Sequence, residues 1–541
     1  MSLVSSTFLF FLAGVFLLYF LVPKKVQWIL LLICSYGFYL YGGVKPLFFI
    51  LLTTVTTFGA GLWMGKYERE YKEYLGEHRD EMSRDERRAL KAEHNKPKKR
   101  ILVGVLLLNF GILLLLKYYN VIAEDLNELF SLFKYDLDMP LLNFILPLGI
   151  SFYIFQSLSY CIDIYRAKYE PETNFFKFAL FVSFFPQMVQ GPISRFDQLE
   201  PQLMAEHSFD LEQFRRGLLL MGWGFVKKLV IADRAAIVVN TVFQDYTEFN
   251  GFQTAVAMFV YAMQIYTDFS GGIDITRGVA QCMGIDLVEN FQRPYFGSTV
   301  ADYWSRWHMS LTGWMRDYVF MPMNMSKTMF NLGKWSRAHI SGMIGKQLPS
   351  YIVTFTVFFL IGIWHGASPG HLVFAFYNAS VIVVGMILKP ALDGMAAAVH
   401  VSEENFAFKV FCIIRTFIIL LIGKIMVKAV SIPAAFYMLG KVVTDFFHFD
   451  NFDNFRSMMN AMGMGGKDWL ILTLCLLVLF CVSVFQERNS IRGKDIQVRD
   501  VIESKPLLLR WAFYLFVIAF IIVFGIYGPG FNATEFIYRA Y

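Results

Sequence analysis

The apolar residues of this chain come in runs long enough to reach across a lipid bilayer. A helical crossing takes about 20 mainly apolar residues. Thirteen stretches approach that length, near 3–22, 26–42, 46–65, 101–118, 141–164, 174–193, 213–240, 252–285, 351–364, 370–390, 407–430, 468–486 and 508–527. Soluble chains carry roughly 25% charged residues, whereas here 17% of the 541 residues are charged and 56% are hydrophobic. The expected fold is all-α and polytopic, one membrane domain over 1–541. Span length predicts about 11–13 membrane helices. Pro147, Pro186 and Pro192 predict kinks or broken helices within them.

Charge sets the expected orientation. Residues 66–100 hold Arg79, Arg84, Arg87, Arg88, Lys91, Lys96, Lys98, Lys99 and Arg100 among acidic residues. That pattern predicts a solvated, helical loop on the cytoplasmic side. Lys24 and Lys25 fall on the same side if the N-terminus is outside. The acidic stretch Glu124, Asp125, Glu128, Asp136 and Asp138 then falls outside. Arg488, Arg492, Lys494 and Arg499 place the last loop inside, so the 528–541 tail is expected outside. Residues 3–22 read as a retained first span, because no basic residue precedes the apolar run and no small-residue cleavage site follows it. The net charge of +6 fits basic inner loops better than nucleic-acid binding. Six cysteines, none in CxxC spacing, indicate neither a disulfide framework nor a zinc site.

Two histidines stand in aromatic, otherwise apolar sequence: His308 in Trp304-Ser305-Arg306-Trp307-His308, and His365 in Gly362-Ile363-Trp364-His365-Gly366. An ionisable ring inside a membrane is a functional candidate by default, and imidazole suits proton transfer near neutral pH. Taken as one helix, 302–320 puts Trp304, Trp307, His308, Leu311 and Met315 on one face, with Asp302 and Arg306 spaced for an ion pair. Two readings of this segment stand. One is a helix buried in protein around a polar network, and the other is a surface helix with an interfacial tryptophan belt. His365 likewise reads either as an acid–base group or as a core histidine bonded to a carbonyl. His371 supplies no metal pair without further ligands, so no metal centre is expected.

Three further segments add polar groups to apolar surroundings: Tyr266–Gly272 with Asp268, Glu289–Tyr295 with Asn290, and Phe184–Pro192 with Gln187 and Gln190. Each reads as helix-breaking packing or as cavity lining. No Walker A loop, G-x-S-x-G elbow or HExxH motif occurs. The lack of a clear internal repeat weakens a transporter reading.

In order along the chain, Asp268-Phe269-Ser270-Gly271, Glu289–Phe291 with Pro294-Tyr295, Trp304–His308, Trp314-Met315-Arg316-Asp317-Tyr318 and Gly362–Gly366 resemble the membrane-bound O-acyltransferase superfamily. The resemblance runs from about Leu146 to the C-terminus. It is nearest to the bacterial branch that serves polysaccharide O-acetylation and teichoic acid D-alanylation. Gly271-Gly272 and Met426-Val427-Lys428-Ala429 depart from the usual pattern. The resemblance implies a funnel-like helical fold with a thin partition between two cavities. It implies His365 as catalytic base and His308 as a second important histidine. Trp304, Arg306, Trp307, Asn290, Asp268, Arg316, Asp317, Gln187 and Gln190 are expected to bind substrate. The implied donor is a cytoplasmic thioester, most simply acetyl-CoA, with no resident cofactor. The implied acceptor is an extracellular polysaccharide reached through a hydrolase-like acyltransferase partner. Phe536-Ile537-Tyr538 resembles a C-terminal motif of that branch whose tyrosine carries the acyl group. The alternatives are D-alanyl or other acyl transfer to teichoic acid-like polymers, acylation of lipid or protein, and transport of a lipid-linked sugar without acyl chemistry.

Overall fold

The computed structural model describes residues 2–133, 135, 139–142, 147–366, 368–398, 405–447, 452–494 and 496–527. Among them every regular element is helical, and one antiparallel bridge joins Phe291 to Trp307. Seven helices are long and apolar enough to cross a membrane: Val44–His78, Arg84–Leu132, Gly342–His365, Pro369–Met395, Phe406–Lys428, Gly466–Ile491 and Leu507–Phe524. Ser6–Leu21, Phe175–Gln190 and Ile432–Thr444 are apolar but shorter. The outward faces carry exposed Phe10, Leu107 and Leu508, as a lipid-covered surface does. This is a multi-pass membrane protein.

The chain forms two compact units, Met1–Leu218 with Thr276–Val288, and Leu219–Ile275 with Glu289–Tyr541. In the first, Ile150–Tyr165 is buried at fourteen of its sixteen positions, and the 44–78 and 84–132 helices pack against it. The 44–78 helix approaches with small residues. A Cβ added at Gly61 would lie 2.8 Å from the Tyr160 ring, so only glycine fits without displacement. Thr54 and Thr57 donate their hydroxyls to the carbonyls of Ile50 and Thr53, so those buried hydroxyls are satisfied within the helix. The charged 66–100 stretch is a helical hairpin. The first helix continues to His78 and the second starts at Arg84, behind a Ser83–Glu86 capping box. Lys98 pairs with Glu68 across it at 2.5 Å. The break expected around Pro186 is present: Phe175–Ser183 ends, Phe184 turns, and Pro186 sits in the first turn of Phe185–Gln190.

In the second unit two expectations need correction. Gly251–Cys282 runs unbroken through Asp268-Phe269-Ser270-Gly271-Gly272. Gly271 serves close approach rather than a break: a Cβ at Gly224 would lie 2.6 Å from the Gly271 carbonyl oxygen, and one at Gly271 3.0 Å from that of Gly224. The charge of Asp268 is accommodated by Lys228, which lies 2.7 Å from it and 2.8 Å from Asp233. Lys228 belongs to a π-helical turn, Val226–Ala232, a widening of the helix common at functional sites. Lys227 beside it bonds Asp274 and Ser270.

The second correction concerns 302–320, which is not one helix. Val300–Arg306 stops at an extended Trp307, His308 is left-handed at φ 47°, ψ 52°, and a new helix covers Met309–Met315. A π-helical turn follows at Arg316–Phe320. The break has a positive cause. Backbone hydrogen bonds from Gln292 to the Arg306 carbonyl and from Met309 to the Asn290 carbonyl pair this stretch with 290–292 in strand fashion. Helical periodicity does not anticipate a partner segment that competes for those backbone groups.

Candidate active site

His308 is held by its neighbours in sequence and by Asn290. The Ser310 amide donates to Asn290 Oδ1 at 3.0 Å, which identifies that atom as the acceptor, and His308 Nδ1 lies 3.2 Å from the same oxygen. Nδ1 therefore carries the proton, and Nε2 is the ring's acceptor. The ring is 1% exposed and meets Phe269 edge-on at 4.8 Å. It lies outside the seven spans, and burial pushes its pKa well below the ordinary imidazole value, so it is neutral at physiological pH. A left-handed non-glycine residue costs on the order of 1–3 kcal/mol. Here the strand-like pairing on one side and the Asn290 bond on the other sustain it.

His365 ends the Gly342–His365 helix, half-buried. Its position depends on Gly362. A Cβ there would lie 2.8 Å from Ala375 Cβ and 3.1 Å from the His371 carbonyl oxygen, so glycine lets the next helix cross closely. That crossing stacks the His365 and His371 rings at 6.0 Å and 9°. Trp364 links the two histidines of interest, its ring 4.7 Å from His365 and 6.0 Å from His308. The pair legible in the sequence is thus brought to one site around a shared indole.

Behind it lies a cluster that the sequence reading only half supplied. Trp304 Nε1 donates to Asn378 Oδ1 at 3.1 Å. Trp307 stacks on Tyr303, and Lys424 sits over the Trp307 ring at 4.5 Å with its ammonium 3.1 Å from the Tyr303 hydroxyl. Lys424 is 5% exposed, a buried amine packed among aromatic faces. Its helix reads as an ordinary apolar span, and Lys424 is one of four basic residues in Phe406–Lys428, so the sequence does not single it out. His371 and Asn378 likewise join the cluster only through the fold.

The other expected residues fall elsewhere. Arg306 bonds Asp302 at 2.8 Å, as the four-residue spacing predicts, and also Glu487 at 3.0 Å. Asp268 adjoins Phe269 in sequence and is engaged by Lys228 as a buried counter-ion. Arg316 pairs with Asp317 at 2.9 Å on an exposed turn. Gln187 and Gln190 are buried in the first unit. Gln187 donates to the Pro192 carbonyl at 3.1 Å and to Ser194. Tyr538 lies outside the described residues.

Residues 171–431, which contain both histidines, match the sequence profile of the membrane-bound O-acyltransferase family. The matched stretch is just under half of the chain, and over it the chain is similar to a family of acyltransferases. Relatives extend the match beyond the profile. A probable alginate O-acetylase of Pseudomonas syringae pv. tomato is 28% identical over 93% of this chain and 86% of its own length. A peptidoglycan O-acetyltransferase of Helicobacter pylori is 28% identical over 52% of this chain and 54% of its own. A teichoic acid D-alanyltransferase of Bacillus subtilis is 29% identical over 44% of this chain and 58% of its own.

Proposed function

We propose that this protein transfers a small acyl group, acetyl in the simplest case, from a cytoplasmic thioester to a hydroxyl serving an extracellular polysaccharide. The observation that carries the reading is the half-buried His365 at the end of a membrane helix, one indole away from the buried, neutral His308. The imidazole of His365 takes the proton of the acceptor hydroxyl, whose oxygen attacks the thioester carbonyl. The tetrahedral adduct expels the thiolate, which recovers the proton from the imidazolium, leaving ester and free thiol. The neutral His308 presents Nε2 as an acceptor, which suits positioning a substrate hydroxyl or amide N–H without adding charge. The Bacillus relative favours one second reading, in which the group moved is D-alanyl and the acceptor a teichoic acid-like polymer.

The basic loops put both termini outside the bacterial cytoplasmic membrane in this scheme. A thiol-reactive, membrane-impermeant reagent should therefore leave Lys91→Cys unlabelled in intact cells, and labelling from outside would reverse the orientation. On the outer side, Tyr538 is the proposed carrier, passing the acyl group to a hydrolase-like acyltransferase. A phenol leaves an ester more readily than a sugar hydroxyl does. Mass spectrometry of surface polysaccharides should show ester-linked acyl groups with the gene and none without it. The Tyr538→Phe protein should resemble the deletion, and Tyr541→Phe should do so less. Unchanged polysaccharide in the deletion strain would remove the proposed function, while full acylation by Tyr538→Phe would remove only the carrier step.

A further inference from the structure

A second polar site adjoins the Trp307 turn through Arg306. A cavity of about 350 Å³ is lined by Arg293, Arg306, Lys409, Asp302 and Glu487, with Ser490 at its edge. Its volume is at the small end of ligand pockets, roughly 300–1,000 Å³. The wall is charged and hydrogen-bonding, which suits a headgroup and not an acyl chain.

The two carboxylates engage only part of the basic inventory. Glu487 takes Arg293 Nε at 2.7 Å and Arg306 Nη1 at 3.0 Å, and Asp302 takes Arg306 Nε at 2.8 Å. Among the described residues, no protein acceptor meets Arg306 Nη2, either terminal nitrogen of Arg293, or Lys409 Nζ. Three cations against two carboxylates leave one positive charge over. Glu487 is 7% exposed, so it acts as a fixed prop that holds the guanidinium planes of Arg293 and Arg306. Arg293 itself adopts a left-handed backbone, φ 47° and ψ 57°, directly before Pro294, and such non-glycine conformations concentrate at functional positions. The site is tied to the chemistry by sequence, since Arg306 is two residues from His308 and accepts a backbone bond from Gln292. The basic residues that follow, Arg488, Arg492 and Lys494, put this helix end on the expected cytoplasmic face.

We propose that this pocket binds the phosphate of the acyl donor's carrier, anchoring the thioester arm that reaches the histidines. The inference rests on the proposed function in one respect, that the donor is a pantetheine thioester. Guanidinium forks suit phosphate oxygens. The same chemistry serves free CoA and a phosphopantetheine arm on a carrier protein.

The test is equilibrium binding to the purified full-length protein, which reads the pocket independently of transfer. CoA and 4′-phosphopantetheine should bind, and pantetheine, which lacks phosphate, should bind at least roughly tenfold more weakly, the size of one charge-assisted contact. Lys409→Glu should weaken CoA binding by roughly tenfold or more, and Lys409→Arg should restore it. Among the described residues no protein acceptor meets the Lys409 ammonium, so this variant removes no bond of the Arg–Glu framework, and an unchanged unfolding midpoint would verify that. Tighter binding of CoA than of phosphopantetheine assigns the free nucleotide donor, and equal binding assigns the protein-borne arm. Equal binding of pantetheine, indifference to Lys409→Glu, or no CoA binding by the wild type overturns the proposal. Phosphate-dependent binding without acyl transfer would instead overturn the proposed function and leave the pocket standing.

Discussion

His365→Ala is expected to lower acyl transfer on the order of 10²–10⁴-fold, the usual loss when a general base is removed, with the fold intact. The ring ends a helix, is half-buried and is held by ring contacts with Trp364 and His371 rather than by a core of its own. Turnover by the purified variant, read beside its thermal unfolding midpoint, separates chemistry from folding. Wild-type turnover would end the base assignment. The pH profile carries a further sign. A neutral base works only when deprotonated, so the wild-type rate should rise with pH through one imidazole ionisation. His308 adds no second rise near neutrality, because burial keeps it neutral there. Alanine at 308 is the less clean experiment, since it also removes the Asn290 contact and leaves a left-handed alanine.

Lys228→Met should cost about 3–5 kcal/mol of stability, the range for breaking a buried ion pair by removing one partner. Lys228, Asp233 and Asp268 are each no more than 3% exposed, and both carboxylates share the one ammonium. The expected result is a protein that unfolds at markedly lower temperature in detergent. Adding Asp268→Asn to Lys228→Met should recover part of the loss, because it removes a charge that the first change strands. A melting point unchanged by Lys228→Met would mean that water reaches the cluster.

Much of this was legible because hydrophobic length and rare polar residues are direct physical signals. His308, His365, Trp304 and Trp307 stand out against apolar sequence, and Asp302 with Arg306 follows from helical spacing. What the sequence withheld depends on distant partners. Nothing near His308 announces the pairing with 290–292 that breaks its helix. Nothing near Asp268 announces Lys228, so a continuous helix read as a broken one. Glu487 directly follows an ordinary apolar span and gains meaning only from the arginines it meets.

The separations in that network set an order of assembly. The bond from Asn290 to His308 spans 18 residues, from Trp304 to Asn378 spans 74, from Tyr303 to Lys424 spans 121, and from Arg306 to Glu487 spans 181. Chains are made at about 5–20 residues per second. The histidine turn can therefore close almost as soon as it leaves the ribosome, whereas Arg306 waits roughly ten to forty seconds for Glu487 to be synthesised. A chain halted before that helix would present an active-site turn already shaped but with its arginine lacking that carboxylate. Such a species is one that membrane quality control could recognise by charge alone.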